Sequence, residues 1–239
     1  MKVTLDREAF VDGLLSPASK LSDNIEIKIT KDKATALVAS ADYSVILQAV
    51  VPCSSKEERT CIIPDCKAFL RLFTCISDPE IELEIKEATV CKKATKGGIA
   101  FKYHLLDEAY YSTKKGINAE KLSQIKFDTS FVIAKEKFQE LIKFNSIIPD
   151  AEKLYFYPFQ DEIHAKIGDN QKETSNEIST AVCKEFEGEP LKEELPLNMQ
   201  SILLMSFRRN NIQISINQKL KLFQFMTDHG KYIISGLVK

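Results

Sequence analysis

Residue types that bind metals or carry out redox chemistry are few in this sequence, and their spacing is unfavourable for either role. None of the six cysteines forms a C-x-x-C pair, and the three histidines, His104, His164 and His229, are far apart. Zinc sites need ligands at short, characteristic spacings. We therefore expect no metal and no cofactor, and we expect free thiols of the kind kept reduced in the cytoplasm. Cys66 and Cys75 are expected to fill core space.

Motifs typical of nucleotide binding or nucleophilic catalysis do not occur in the sequence. It contains no G-x-x-x-x-G-K-[ST], no G-x-G-x-x-G and no G-x-S-x-G. His164 falls in an alternating strand pattern, which is typical of a structural or surface histidine. We therefore predict no catalytic residues and a chain that is not an enzyme. The alternative is an α+β enzyme whose site assembles from distant residues, and a deep pocket with a perturbed carboxylate or histidine would favour it.

The remaining chemistry is electrostatic. Lys and Arg number 33 against 34 Asp and Glu, which gives a net charge of −1. A protein that binds phosphates over its whole surface is usually basic. Any surface for nucleic acid on this chain must therefore be a local patch of positive charge, balanced by acidic residues elsewhere.

On helical wheels, two of the four predicted helices present a basic face opposite an apolar stripe, the third is mixed and the first is acidic. The basic residues on or just beyond these helices are Lys20, which lies past Pro17, Lys67, Arg71, Lys143, Arg208 and Arg209. The first helix also exposes Glu8 and Asp12, and the third has acidic residues beside Lys143. The alternative interpretation of each face is the ordinary solvated side of an amphipathic helix.

The order of predicted elements repeats four times along the chain. Each repeat is a strand, a helix and three further strands, with the helices predicted at residues 7–15, 66–76, 135–147 and 199–208. Gly13 and Pro17 predict a kink or an early end of the first helix. The polar stretch 107–125 lacks periodicity and separates the second repeat from the third. We therefore predict an α+β fold with an N-terminal domain at 1–106, a connector at 107–125 and a C-terminal domain at 126–239.

This pattern resembles the DNA sliding clamps, the processivity factors of DNA polymerases. Three phrases carry the resemblance: FLRLFTCISDPEIELEI at 69–85, EKFQELIKFNSIIPDAEKLYFYP at 136–158 and LPLNMQSILLMSFRRNNIQISI at 195–216. Within the family, the chain is most similar to clamps of the bacteriophage T4 type and to proliferating cell nuclear antigen. The resemblance covers nearly the whole chain and rests on the order and length of the elements, since the family has no catalytic signature.

The resemblance implies a DNA clamp fold and a function. Two similar domains per chain would form a closed homotrimer with helices on the inner face of the ring and sheets on its outer face. Such a ring encircles duplex DNA without sequence specificity and tethers the replicative DNA polymerase, after an ATP-dependent clamp loader has opened it. The resemblance implies action in the cytoplasm, which would be the cytoplasm of the host if the gene is viral. It implies no association with a membrane. The six basic residues named above would face the hole, although the acidic first helix departs from the family's basic lining.

The resemblance also implies two contact surfaces. Strand 99–105 of one subunit would pair with strand 178–186 of the next, which gives these interface residues: Ile99, Phe101, Tyr103, Ile178, Ala181 and Cys183. A pocket for the apolar peptides of partner proteins would involve the connector, with these candidates: Val45, Tyr110, Tyr111, Ile117 and Ile234. An alternative role for the two tyrosines is to anchor the connector. An alternative function is a protein–protein adaptor of the same fold, or a subunit of a heteromeric ring, that does not itself encircle DNA.

Overall fold

A computed structural model describes residues 1–94, 98–107, 117–148, 150–168, 176–205 and 211–237. The chain divides into two compact units, Met1–Ser123 and Gln124–Lys239. A short helix that the sequence did not predict, α4 (Ala119–Ser123), ends the first unit. Within the described ranges, no helix is long and apolar enough to cross a membrane.

The first unit is one antiparallel arrangement of strands. Its strands are β1 (Lys2–Asp6), β2 (Ile25–Ile29), β3 (Lys33–Ala39), β4 (Val45–Ser55), β5 (Arg59–Ile63), β6 (Glu80–Ile85), β7 (Thr89–Lys92) and β8 (Phe101–His104). They pair in the order β5–β2–β3–β4–β1–β6–β7–β8. Burial alternates along β2, since Ile25, Ile27 and Ile29 are buried while Lys28 is exposed.

The first helical segment continues through Pro17 to Leu21, so the early end allowed by the sequence does not occur. It consists of α1 (Arg7–Phe10), a π-helical turn (Val11–Leu15) and α2 (Ser16–Leu21). In the π turn the Ser16 N–H donates to the carbonyl of Val11, five residues back. This hydrogen bond to the fifth residue back comes just before Pro17. Pro17 has no N–H, and its ring disfavours the usual helical contact with the carbonyl four residues back. The wider turn therefore accommodates Pro17 within the helix.

The second unit contains two sheets and two helices. Its strands are β9 (Thr129–Ile133), β10 (Lys153–Phe159), β11 (Glu162–Gly168), β12 (Ile178–Cys183), β13 (Phe186–Gly188), β14 (Leu195–Asn198), β15 (Ile212–Asn217), β16 (Leu222–Thr227) and β17 (Gly230–Ser235). One sheet has the order β12–β11–β10–β14, and the other contains β13–β9–β15–β16–β17. The helices are α5 (Lys135–Ile147) and α6 (Met199–Leu204).

The core of each unit lies between helices and strands. In the first unit, α3 (Cys66–Thr74) buries Phe69 and Phe73 beside Phe10 of α1. In the second, Phe138 of α5 contacts Phe225 of β16, with 6.2 Å between ring centroids. These aromatic side chains hold the helices on the sheets and leave the opposite helix faces exposed.

Candidate functional site

Helix α3 presents the most positive exposed face among the described helices. Lys67, Arg71 and Thr74 are exposed, whereas Cys66, Phe69 and Phe73 are buried. The spacing of three and four residues places each set on its own side of the helix. Helix α3 therefore has an exposed basic face opposite its buried apolar stripe, as the sequence predicts.

The start of α3 is held by a side-chain cap. Asp65 has an extended backbone, and its Oδ1 accepts a hydrogen bond from the Ala68 N–H at 2.8 Å. Asp65 also places a negative charge at the positive end of the helix dipole. The cap therefore sets where the helix begins and, with it, the position of Lys67.

Replacing Asp65 by alanine should destabilise the first unit by about 1 kcal/mol, because the first turn of α3 loses its acceptor. Urea unfolding followed by circular dichroism would measure the loss. Asp65→Asn is the matched control, since asparagine also caps and should restore most of the stability. Equal losses in both variants would contradict a capping role for the side-chain oxygen.

Lys67 has one ion-pair partner that it can exchange. Its Nζ lies 3.1 Å from Oδ1 of Asp23, and the two side chains are 59% and 76% exposed. Ion pairs this exposed contribute little to stability and are screened by salt. A phosphate group can therefore replace Asp23 as the partner of Lys67 at a small energetic cost.

The other helices present weaker or mixed charge. Lys20 is exposed near the end of α2, in a helical segment that also exposes Glu8. Lys143 is exposed on α5, on the face that carries Glu136. Arg208 and Arg209 lie outside the described residues. The mixed character predicted for the third helix is thus observed, the first segment exposes both Glu8 and Lys20, and α3 carries the clearest basic face of the described chain.

Strand β8 forms one edge of the first unit. It pairs with β7 on one side, and beyond its end Leu106 forms a single bridge with Ile62. Phe101 and Tyr103 point towards α3, with ring centroids 5.8 Å from Phe73 and 4.8 Å from Phe69, respectively. Both side chains are half-buried, so they extend the core of the unit to its edge and leave part of each ring uncovered.

Exposure increases just before β8, and Tyr103 is tied to the helix. Ile99 is 43% exposed. The Tyr103 hydroxyl donates to the carbonyl of Asp65 at 2.9 Å, and burial raises the pKa of this phenol. Ile99, Phe101 and Tyr103, which were predicted at the subunit interface, thus lie at the β8 edge of the first unit. The hydrogen bond to Asp65 holds Tyr103 against the start of α3.

Strand β12 is an edge of the four-stranded sheet in the second unit. It pairs with β11 alone among the described strands, and a bulge lies at Ile163/His164. Ile178 and Cys183 are opposite Ile167 and Ile163, which are buried, whereas Ala181 is opposite His164 and is exposed. The predicted interface residues therefore share one strand but face both sides of the sheet.

Two residues predicted in the partner pocket are fully buried. Val45 and Ile234 each have 0% of their surface exposed, because both lie on the inward faces of their strands. Neither side chain offers surface to a peptide, so the prediction is corrected for these two positions. Tyr110 and Tyr111 lie outside the described residues.

Ile117 is the remaining residue of the predicted pocket, and it borders a groove within the first unit. The groove has a volume of about 800 Å³ and runs between residues 117–120 and the strands β2, β3 and β4. Its lining includes Glu26, Lys28, Leu37 and Gln48. It is therefore an open, mixed polar and apolar surface next to the part of the connector that the structure describes.

The cysteines differ in burial, and none forms a disulfide. Burial raises the pKa of the Cys66 thiol to about 12 and that of Cys61 to about 11, so both are protonated at neutral pH. Cys75 is exposed at the end of α3, contrary to its predicted core position, because it follows Thr74 on the solvent side of the helix. No three His, Cys, Asp or Glu side chains of the described chain are grouped as metal ligands.

One charged residue that the sequence interpretation missed is Lys92 on β7. Its side chain is 3% exposed, and its Nζ lies 3.0 Å from Oδ2 of Asp78. The strand pattern could have revealed this burial, because Lys92 lies two residues after the buried Val90 and therefore faces the same side of the sheet.

Comparisons with known proteins give the fold of the whole chain. No protein-family model matches it, and no curated protein sequence matches it. Among solved structures, PCNA of A. fulgidus, solved with the C-terminal region of FEN-1, is similar with a TM-score of 0.78 and 13% identity, over 100% of this chain and 98% of that one. The two chains therefore share their fold along their full lengths.

Two further structures extend this comparison. The DNA polymerase sliding clamp of Bacillus subtilis has a TM-score of 0.75 and 13% identity, over 100% of this chain and 64% of the bacterial chain. The PCNA2–PCNA3 complex of Sulfolobus tokodaii has a TM-score of 0.70 and 13% identity, over 99% of each chain. The chain described here has the DNA clamp fold, and it spans about two thirds of the bacterial clamp.

Proposed function

We propose that this chain is a sliding clamp. Three copies close into a ring around duplex DNA, bind it without sequence specificity and tether the replicative DNA polymerase. An ATP-dependent clamp loader opens the ring, the ring itself has no catalytic activity, and it acts in the cytoplasm. Membership of the bacteriophage T4 type stays a prediction from the sequence phrases given above.

The observation that carries this proposal is the fold. The chain is similar to PCNA over 100% of its length, with a TM-score of 0.78, and this similarity supports a ring of such chains. Fold alone does not define function, and features of this chain must support it. The basic face of α3 and the open edges β8 and β12 are those features.

A topological link explains how a chain with a net charge of −1 can stay on DNA. A closed ring cannot leave without opening or reaching an end, so its phosphate contacts can be weak and few. Lys67 and Arg71 supply such contacts, because they are exposed and Lys67 holds only a screened ion pair. Weak, non-specific contacts are also the ones that permit sliding.

We propose the interface between copies at the two edge strands. Strand β8 of one copy would pair with β12 of the next, which would cover the uncovered parts of Phe101 and Tyr103 with residues such as Ile178. Pairing of this kind also removes two open strand edges, which are otherwise liable to aggregate. We further propose that partner peptides dock beside the connector, where Ile117 borders the groove.

A second candidate function is a subunit of a heteromeric ring or an adaptor that does not encircle DNA by itself. The acidic residues Glu8 and Asp12 on the first helical segment favour it, because they weaken the positive charge that the helices present to DNA. One of the similar structures is itself a complex of two different chains, PCNA2 and PCNA3.

The mass of the protein in solution distinguishes the two candidates. Light scattering over a wide range of concentrations should give a mass three times that of the 27.1 kDa chain, persisting on dilution, if the protein forms a ring of identical subunits. A mass of one chain at every concentration would contradict self-assembly and favour the heteromeric alternative.

A further inference from the structure

Lys92 is the one charged residue that is buried within the part of the chain that the structure describes. It lies at the end of β7, with its side chain on the same side of the sheet as Val90. Burial of a lysine is unfavourable unless its ammonium group is paired and hydrogen-bonded. The contacts of Lys92 therefore indicate which parts of the fold this residue joins.

Three acceptors surround the Lys92 ammonium group. Its Nζ lies 3.0 Å from Oδ2 of Asp78 and donates to the carbonyls of Ile99 at 3.1 Å and Lys93 at 3.4 Å. An ammonium group has three N–H donors, so this set can satisfy all of them. Asp78 belongs to the loop that follows α3, and Ile99 comes just before β8. Lys92 therefore joins the end of α3 to the beginning of the edge strand.

A second tie joins the opposite ends of the same two elements. The Tyr103 hydroxyl, near the end of β8, donates to the carbonyl of Asp65, which caps the start of α3. Between the two ties, Phe101 and Tyr103 pack against Phe69 and Phe73. The edge strand β8 and the basic helix α3 are thus connected at both ends and along their length.

We propose that Lys92 is a positioning residue that fixes β8 relative to α3, so that the edge is presented in one register to a second copy of this chain. The proposal rests on the proposed function, since it assigns β8 as the pairing edge. A short edge strand without such a tie is prone to fray and to pair in other registers. An inward-pointing charge near a sheet edge also opposes unspecific pairing.

Hydrogen exchange of the full chain tests this role without requiring assembly. Lys92→Met keeps an unbranched apolar stem and removes the ammonium group, while Asp78, whose side chain is 32% exposed, stays accessible to water. Within residues 98–104, the amides that are hydrogen-bonded to β7 should exchange about tenfold faster or more, because the charged hydrogen bond that holds the start of β8 is lost. Amides of β1 and β6 should keep their protection.

Lys2→Met is the matched control, because it makes the same chemical change in an ion pair of the same sheet. The Lys2 Nζ lies 2.9 Å from Oε1 of Glu82, and both side chains are largely exposed. Exchange at 98–104 should be unchanged in this variant. If Lys92→Met does not fold, Asp78→Asn decides the question, since it removes the charge partner and keeps an acceptor.

Unchanged exchange at 98–104 in the variants of Lys92 and Asp78 would overturn the proposal. A uniform increase over the whole first unit would overturn it as well, because it would indicate a general contribution to stability. If the wild-type protein assembles, Lys92→Met should also raise the dissociation constant between copies about tenfold. If the wild type is monomeric, the proposed ring fails, whereas the exchange experiment still tests the tie between β8 and α3.

Discussion

The variant with Lys67 and Arg71 both replaced by alanine is expected to bind duplex DNA with a much weaker dependence on salt than the wild type. Each phosphate contact contributes about 0.9 to the slope of log affinity against log salt concentration. A subunit that touches DNA through both residues should therefore lose about 2 from that slope. Both side chains are exposed and alanine favours helices, so α3 should stay folded.

Fluorescence anisotropy with a labelled duplex at several salt concentrations would measure the two slopes. The matched control replaces Lys28 and Lys33, two exposed lysines on β2 and β3 of the same unit, by alanine. This control removes the same charge from the same unit and leaves α3 intact. Equal slopes for the two double variants would mean that DNA responds to net charge alone, and the assignment of α3 as the DNA-facing helix would be wrong.

Replacement of Phe73 by alanine is expected to cause the largest loss of stability, about 3–5 kcal/mol. Phe73 is fully buried, and its ring lies 5.1 Å from Phe10, 4.9 Å from Phe69 and 5.8 Å from Phe101. The substitution leaves a cavity at the point where the first helical segment, α3 and β8 meet. Urea unfolding of the full chain, with separate fits for each unit, would measure the loss.

Phe159→Ala is the matched control, because it removes the same atoms from a side chain that is 50% exposed. It leaves no enclosed cavity, and its main loss is the contact with His164, so a cost of about 1 kcal/mol or less is expected. Similar losses for the two phenylalanines would show that the contacts of Phe73 do not hold the first unit together.

Elements with strong local periodicity were predictable from the sequence. The bounds of α5 agree with the predicted range 135–147, because its apolar spacing is regular. Local rules did not predict that the helix continues through Pro17 by way of a π turn. They also failed at α4, a single short turn without an apolar stripe.

The site was predictable only in part, because a strand pattern shows which residues share a face but not what covers that face. Val45 was predicted in the partner pocket, yet it lies on β4 with its side chain in the core. The helical wheel of α3 was sufficient to place Lys67 and Arg71 on the exposed side, since one face of that helix is apolar and the other is not. The charge partner of Lys92, Asp78, comes from the loop that follows α3, and no spacing rule reveals it.

Retention on DNA with controlled ends tests most directly whether this chain encircles the duplex. The protein would be incubated with linear DNA fixed to a bead at one end, so that a ring can thread on from the free end without a loader. The free end would then be blocked by a bulky protein, and the beads washed with concentrated salt. We predict retention on blocked DNA and loss from unblocked DNA, since salt breaks phosphate contacts but not a topological link. Equal loss from both would contradict encirclement.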